Sequence, residues 1–455
     1  MNDIPFLIKI LKSVFSFLIE GNSLKSVFIK DLEGLKGREV TISGWVHRVR
    51  ALGKLAFIVL RDATGLVQVV IKENPELLKK ARELNLEDTI RVVGVITESK
   101  SKVSSVEIHA KDLVILNKAI EVLPLDVTGV VDADLGVRLR YRVVDLKKPK
   151  NLAIFKIQGE LVDAFRRYLR SQGFIEIHTP KIVASSTEGG AEVFELQYFE
   201  RKAYLAQSPQ LYKQLMVIAG FERVFEVGPV FRAEKHNTSR HLNEYLSLDV
   251  EMGFIDNERD VMNLEEKLIR NMFLSVEENC KRELNLLNVT VPEFERIPVF
   301  TFKEAQEILV EYFNLKEYEN VDDLDQRGEE LICKYAMENF EVELVFIDLF
   351  PLSSRPFYTM PYDKTYGRSF DLLFRGLEVS TGSQRIHKYS LLFKRLKDKG
   401  LDPENFKYYL EAFRYGAPPH GGFAIGAERL TMKLLGLKNI REAVLFPRDR
   451  FRVEP

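Results

Sequence analysis

Three stretches of the sequence concentrate side chains suited to handling anions. FRAEKHNTSRHLNE, residues 231–244, sets Arg232, Arg240 and His241 around Glu234, between the apolar runs RVFEVGPVF and YLSLDVEMGF. Guanidinium groups grip phosphate oxygens bidentately, so a hairpin presenting Arg232 and Arg240 could clamp a triphosphate. Glu234 cannot hold phosphate, but its carboxylate can accept from a purine amino group or orient an arginine. Taken alone, such a loop reads equally well as a solvated hairpin tip. SFDLLFRGLEVSTGSQRIH, residues 369–387, adds Asp371 and Glu378 on an expected hairpin, with Thr381 and Arg385 close by. Two converging carboxylates without cysteine or a histidine pair suit a hard cation, Mg²⁺, shared with phosphate oxygens. Without such an ion they are a pair of surface acids. GGFAIGAERL, residues 421–430, is a Gly-rich strand turning into a helix, where backbone amides can approach an anion and Arg429 adds a cation. It lacks the GKS/T ending of a P-loop and the spacing of GxGxxG.

The elements around these stretches belong to an ordinary globular chain. Its 455 residues allow two or three domains, and 45% hydrophobic with 29% charged residues can fill sizeable cores. The formal net charge is -1, so any polyanion site must be local. Cys280 and Cys333, with no CxxC, fit a reducing compartment and argue against a thiolate metal site. PFLIKILKSVFSFLIEG, residues 5–21, is interrupted by charge, too short to span a bilayer and without a cleavage site, so it reads as a peripheral amphipathic helix. A cytoplasmic location is expected.

Residues 1–38 form an N-terminal extension. Residues 39–117 supply five strand candidates around one helix: EVTISGWVHRVR, KLAFIVLRD, GLVQVVIK, the helical NPELLKKAREL, TIRVVGVITE and VEIHAKDLVIL. Three strands, a helix and two strands at this spacing predict a small closed barrel of OB type. Residues 118–150, with Pro124 and mixed charge, read as a hinge or linker. From 151 an α+β domain is expected to 455, opening with a helix that carries Ile154, Ile157, Leu161, Phe165, Tyr168 and Leu169 and closes at Gly173. Strands should dominate 175–254 and helices 257–340. More strands follow at 343–382, then a basic helix at 389–399.

Together and in this order, the motifs resemble those of the class II aminoacyl-tRNA synthetases. GFIEIHTPKI, 173–182, is similar to motif 1, whose proline here is Pro180 and whose strand and helix imply a homodimer interface. FRAE with RHLNE resembles motif 2, and GGFAIGAERL resembles motif 3. A barrel placed first and a catalytic domain second is the arrangement of the aspartyl, asparaginyl and lysyl members. The resemblance implies an antiparallel-sheet catalytic domain, and ATP held by Arg232, Glu234, Arg240, His241, Leu242, Glu378, Gly426 and Arg429. It also implies Mg²⁺ on Asp371, Glu378 and the Thr381 hydroxyl, where relatives commonly have serine. Lys235 departs from a frequent glutamate.

QSPQLYKQ, 207–214, resembles the aspartyl form of the pocket. There Lys213 and Arg385 hold the side-chain carboxylate, with Gln210, Arg232 and Thr381 nearby. In STEGGAEVF, 186–194, Glu188 receives the ammonium group. Two cations suit a carboxylate, and an amide is expected to leave them uncompensated. Aspartate activation and transfer to tRNA-Asp follow. In the barrel, Phe57 and Gln68 match the aromatic and the amide that read the anticodon; on pattern alone Phe57 reads as core. His47 and Val103 fall where archaeal members restricted to tRNA-Asp tend to carry Trp and Lys. The resemblance therefore implies that tRNA-Asn is charged as well, whereas on pattern alone His47 is one more polar residue on a barrel face. An asparaginyl enzyme or asparagine-forming relative, and a catalytically dead RNA-binding protein, are the competing readings.

Overall fold

In the computed structural model, residues 24–184, 193–235 and 238–455 are described. The chain divides at Pro149 and Lys150 into two units.

Alternation builds the first unit. In β2 (Leu55–Asp62), Ala56, Ile58 and Leu60 are fully buried, and Phe57 and Val59 between them face the other way. β1 (Glu39–Leu52), β2, β3 (Gly65–Lys72), β4 (Thr89–Glu98) and β5 (Val106–Asn117) close into a barrel in the order β1-β2-β3-β5-β4. Closure leaves no open edge, and Val40, Ile42, Val69, Val92, Ile96 and Ile108 fill the interior. α1 (Pro75–Arg82) starts where Asn74 accepts from the Leu77 amide and Pro75 takes the first turn. It lays Leu77, Leu78 and Ala81 on the barrel. The segment after β5, expected as a linker, holds two short helices, α2 (Leu135–Arg140) and α3 (Arg142–Asp145). A loop precedes them in which the Asp126 carboxylate accepts from the amides of Thr128, Val130 and Val131.

The second unit is a mostly antiparallel sheet with helices against it. α4 (Pro149–Ser171) buries Ile154, Ile157, Leu161, Phe165 and Leu169, a stripe at three- and four-residue spacing, and ends before Gly173 at φ +81°. The eight-stranded sheet runs β12-β13-β14-β15-β16-β11-β10-β6. Its strands are β6 (Ile175–Glu176), β10 (Arg223–Phe231), β11 (Glu244–Gly253), β12 (Val299–Thr301), β13 (Leu344–Asp348), β14 (Ser369–Phe374), β15 (Glu378–Arg385) and β16 (His420–Gly426). Only the outermost pairs, β6 with β10 and β12 with β13, are parallel. A smaller sheet joins β7 (Ile182–Val183), β8 (Glu195–Tyr198) and β9 (Arg201–Leu205).

One face of the large sheet meets α4 and α6 (Glu258–Asn279), with Phe165, Phe225, Val250, Phe273, Phe370 and Phe423 in one core. α7 (Lys281–Leu287), α8 (Phe302–Glu307) and α9 (Gln326–Phe340) follow in the helical section. α10 (Tyr389–Asp398), α11 (Lys407–Ala412) and α12 (Ala427–Leu434) complete the unit.

Strands do not dominate the whole of 175–254. Gln210–Met216 is a helix, α5, and Val217–Phe221 continues it as one wider turn. The reason is packing: Leu211, Leu215 and Ile218, at helical spacing, lie against Leu392, Tyr409 and Phe413. The amphipathic stretch at 5–21 lies outside the described residues.

Candidate functional site

The two charged hairpins and the Gly-rich strand meet on the sheet. β10 and β11 pair from Arg223–Met252 to Phe231–Glu244, so the two strands make a true hairpin. Asn243 ties its base, its side-chain amide donating to the carbonyls of Arg232 and Glu234 at 2.7 and 3.1 Å. The Arg232 guanidinium lies over the Tyr245 ring, 5.6 Å from its centre. β16 pairs with β11 and β15 pairs with β16, which brings Arg232, Arg240, His241, Leu242, Glu234, Glu378, Thr381, Gly426 and Arg429 around one cavity of about 670 Å³. A second cavity, of about 490 Å³, shares Ser208, Arg232, Thr381 and Ala424 with the first and adds Gln210, Lys213, Asp249, Arg355 and Arg385. The two form a single cleft, and Arg232 stands where they join.

The first cavity is a ring of arginines set against carboxylates. Arg429 donates to the Glu378 carbonyl at 3.0 Å and lies 3.8 Å from its carboxylate. Arg240 lies 3.6 Å from Glu329 of α9. His241 meets the Thr238 hydroxyl at 2.6 Å through Nδ1, while its Nε2 lies 3.6 Å from Glu234. Glu329 was not apparent from sequence. Its carboxylate accepts from the Glu378 amide, and burial, with the charge of Glu378, pushes its pKa up to about 7. Glu378 is raised too, by desolvation first and by Asp371 second. Two carboxylates and the Thr381 hydroxyl, which donates to Asp371, make an all-oxygen donor set of the kind that suits a hard divalent cation. The donor set of Asp371, Glu378 and Thr381 thus fits the expected ion. Asp371 is nevertheless engaged by Arg355, which donates to both carboxylate oxygens at 3.0 and 2.7 Å. Among the described residues, no group of three His, Cys, Asp or Glu side chains converges as a metal site.

Close packing also requires glycine in the Gly-rich strand. A Cβ at Gly422 would stand 2.0 Å from the Val250 carbonyl and 2.3 Å from a Glu251 oxygen. Glycine there lets β16 lie against Glu251, and the Gly422 carbonyl accepts from Arg385 at 3.0 Å. Gly426, at the start of α12, is the part of the motif that lines the first cavity.

In the second cavity one electrostatic expectation is corrected. Lys213 and Arg385 are both buried, and neither waits for an external anion. Lys213 donates to Asp249 at 2.9 Å and to the Phe423 carbonyl at 3.1 Å, with Glu251 at 3.5 Å. Arg385 forks onto Glu251 at 3.0 and 3.1 Å and donates to Ser383 at 2.6 Å. Glu251 is fully buried, and the flanking Arg385 and Lys213 charges hold its pKa down against that burial. An amide ligand would therefore not strand two bare cations. The lining thus carries four cations, Arg232, Lys213, Arg355 and Arg385, of which the last three face Asp249, Asp371 and Glu251 respectively. Gln210 Nε2, Thr359 Oγ1 and Ser369 Oγ belong to residues lining this cavity and are buried without a hydrogen-bond partner among the described residues, which suits a polar ligand. Arg355, Asp249 and Glu251 escaped the sequence reading. The two acids stand at alternate positions of a buried strand, which by itself signals hidden cationic partners.

Among the other expected residues, Glu188 lies outside the described residues. Pro180 falls between β6 and β7, in a segment that includes the half-exposed Ile175 and Ile182. On the barrel, Phe57 and Gln68 share the outer face of β2 and β3, where Phe57 pairs with Val70 and Gln68 with Val59. Phe57 is half-buried rather than a core residue. The Gln68 amide donates to Glu107 at 2.9 Å, so its carbonyl oxygen is not used in that bond. His47 is not a polar residue on an open barrel face. It is buried at a bulge between Val46 and Arg48, its Nδ1 has no hydrogen-bond partner among the described residues, and burial with the Arg61 charge lowers its pKa. Val103 lies on the loop before β5 and is exposed.

Residues 134–450 match the family model of class II tRNA synthetases (D, K and N), and residues 40–116 match that of OB-fold nucleic acid binding domains. The aspartate–tRNA(Asp/Asn) ligase of Methanopyrus kandleri is 47% identical over 440 residues, 95% of this chain and all of that protein. The aspartate–tRNA(Asp) ligase of Pyrococcus horikoshii is 48% identical over 429 residues, 93% of this chain and 98% of that one. Among solved structures, the asparaginyl-tRNA synthetase of Pyrococcus horikoshii complexed with asparaginyl-adenylate superposes with a TM-score of 0.87. It is 32% identical, over 95% of this chain and 100% of that one.

Proposed function

Since the chain belongs to the class II tRNA synthetases of the D, K and N group, among the archaeal-type aspartyl enzymes, we propose that it activates aspartate with ATP and Mg²⁺ and charges tRNA-Asp and also tRNA-Asn. Synthetases of this class take ATP with a divalent metal, an amino acid and tRNA. The observation that carries the finer reading is the single cleft, in which Arg232 joins an arginine-ringed cavity to one lined by Lys213 and Arg385.

In this reading the aspartate side-chain carboxylate lies against Lys213 and Arg385, within reach of the Gln210 amide, and Glu188 takes the ammonium group. Arg232 bridges the α-carboxylate and the α-phosphate. It thereby fixes the attacking oxygen in line with the phosphorus and draws off the charge that builds on the phosphoryl oxygens. The α-carboxylate oxygen bonds to phosphorus as the bond to pyrophosphate breaks. Glu234 accepts from the adenine amino group and Leu242 and Gly426 wall the nucleotide. Arg240, His241 and Arg429 hold the outer phosphates. Asp371, Glu378 and Thr381 would hold the divalent ion, whose charge would offset that of the phosphates. In the second step the terminal ribose hydroxyl of tRNA attacks the aspartyl carbonyl, and AMP leaves.

Aspartate rather than asparagine is supported by the relatives that share nearly half of the sequence and are named for aspartate. The asparaginyl structure is similar at lower identity. Charging of tRNA-Asn is supported by relatives named for both tRNAs, from Methanopyrus kandleri and Aeropyrum pernix. Because His47 is buried, it acts here by shaping the bulged strand β1, not by touching RNA. The Phe57 ring and the Gln68 amide, on the outer barrel face, read the anticodon. In this reading the homodimer interface is formed by the segment around Pro180. Substrate-dependent pyrophosphate exchange tests the assignment: aspartate stimulates exchange, and stimulation by asparagine alone overturns it. Aspartylation of a tRNA-Asn transcript tests the second acceptor, and product no greater than background removes it.

A further inference from the structure

Arg355 lies on the long irregular connection between β13 and β14, and no motif flags it. The connection is pinned at Leu352, whose amide donates to the Thr365 carbonyl, and at Thr359, which pairs with Arg385. The arginine is largely buried, at 11% side-chain exposure. Its guanidinium lies on the Phe350 ring, 3.6 Å from the centre, and forks onto both oxygens of Asp371. The same group reaches the Thr381 hydroxyl at 3.4 Å, and that hydroxyl donates to Asp371 at 2.5 Å. Two of the three side chains assigned to the divalent ion are thus already tied together by a fixed cation. The third, Glu378, faces Arg429. A second carboxylate, Asp323, lies 3.9 Å from Arg355 on the solvent side and is well exposed.

We propose that Arg355 is a built-in counter-cation of the metal site: it holds Asp371 and Thr381 in position without metal, and it competes with a divalent ion for Asp371. A guanidinium stacked on Phe350 can pivot from Asp371 towards Asp323 without leaving the ring, so the exchange keeps it near a carboxylate throughout. The consequence is that the protein alone binds a divalent ion weakly. Only the added oxygens of the nucleotide phosphates shift the competition in favour of the metal. This inference rests on the assignment of Asp371, Glu378 and Thr381 as ligands in the proposed function.

The test is Mn²⁺ binding to the full-length protein, followed by electron paramagnetic resonance, with and without ATP. Arg355→Met removes the competing charge and keeps a side chain that packs on Phe350. Without ATP it should bind Mn²⁺ about tenfold or more tightly than the wild type. Mn²⁺ should also raise its melting temperature by more than it raises that of the wild type. Arg355→Lys, which cannot fork, should fall between the two, and it carries the test if the methionine variant does not fold. Equal or weaker Mn²⁺ affinity in the variants overturns the proposal. If neither protein binds Mn²⁺ even with ATP, the ligand assignment fails and the role of Arg355 falls with it. Binding by the wild type with ATP and no gain in the variants leaves the ligand assignment standing and refutes Arg355 alone.

Discussion

Glu265 of α6 allows a prediction whose size follows from its surroundings. It is fully buried beneath β15, and among the described residues neither carboxylate oxygen has a hydrogen-bond partner. Burial pushes its pKa up to about 8, and the Asp371 charge adds to the rise. A carboxyl whose pKa is higher folded than unfolded binds more protons in the native state, so stability falls as pH rises. The loss begins above the ordinary value of 4.5, proceeds at about 1.4 kcal/mol per pH unit, and stops near the folded value. At pH 7 it amounts to roughly 3 kcal/mol, undiminished by solvent screening because the group is not exposed. Glu265→Gln keeps the volume and removes the titration. The variant should match the wild type near pH 4.5 and exceed it by roughly 3 kcal/mol at pH 7, or by about 5 °C in melting temperature for a unit of this size. Melting curves of both proteins across that range measure the difference. A difference independent of pH, or a variant that loses ground as pH rises, refutes the reasoning.

Three further outcomes are expected. Lys213→Met leaves Asp249 buried without its cation and should cost about 3 to 5 kcal/mol of stability; calorimetry measures it. The same change should lower kcat/KM for aspartate in pyrophosphate exchange at least about a hundredfold, and an effect under tenfold removes Lys213 from the pocket. Arg232→Ala should abolish adenylate formation while tRNA binding, measured by filter retention, stays nearly intact; retained exchange rejects its role. Phe57→Ala should weaken tRNA binding by about 1 to 3 kcal/mol through lost stacking, with aspartate-dependent exchange unchanged; a defect in exchange would indicate a structural role.

The barrel and the main hairpins were legible because their strands alternate and their turns fall at glycine or charged residues. The run Leu55–Asp62 is a strand on any reading of its pattern. Gln210–Met216 was not legible as a helix, since its few apolar residues acquire meaning only against Tyr409 and Phe413, about two hundred positions later. Distance along the chain hid the site's partners in the same way. Lys213 and Arg385 carry recognisable motifs, whereas Asp249 and Glu251 look like part of a plain strand until β16 is laid beside it. Arg355 sits where no periodicity exists, and only the fold brings it to Asp371. His47 was misjudged because a bulge reverses which way its side chain points, and a bulge leaves no sign in composition.

The paired charges beneath the second cavity bear on how the protein should respond to its medium. Lys213 with Asp249 and Arg385 with Glu251 are shielded from solvent, and each cation already has its own anion. An incoming carboxylate thus joins a balanced array, collecting few mobile ions from bulk water and releasing few. Ionic strength should barely alter the KM for the amino acid, while binding of tRNA should weaken as salt rises.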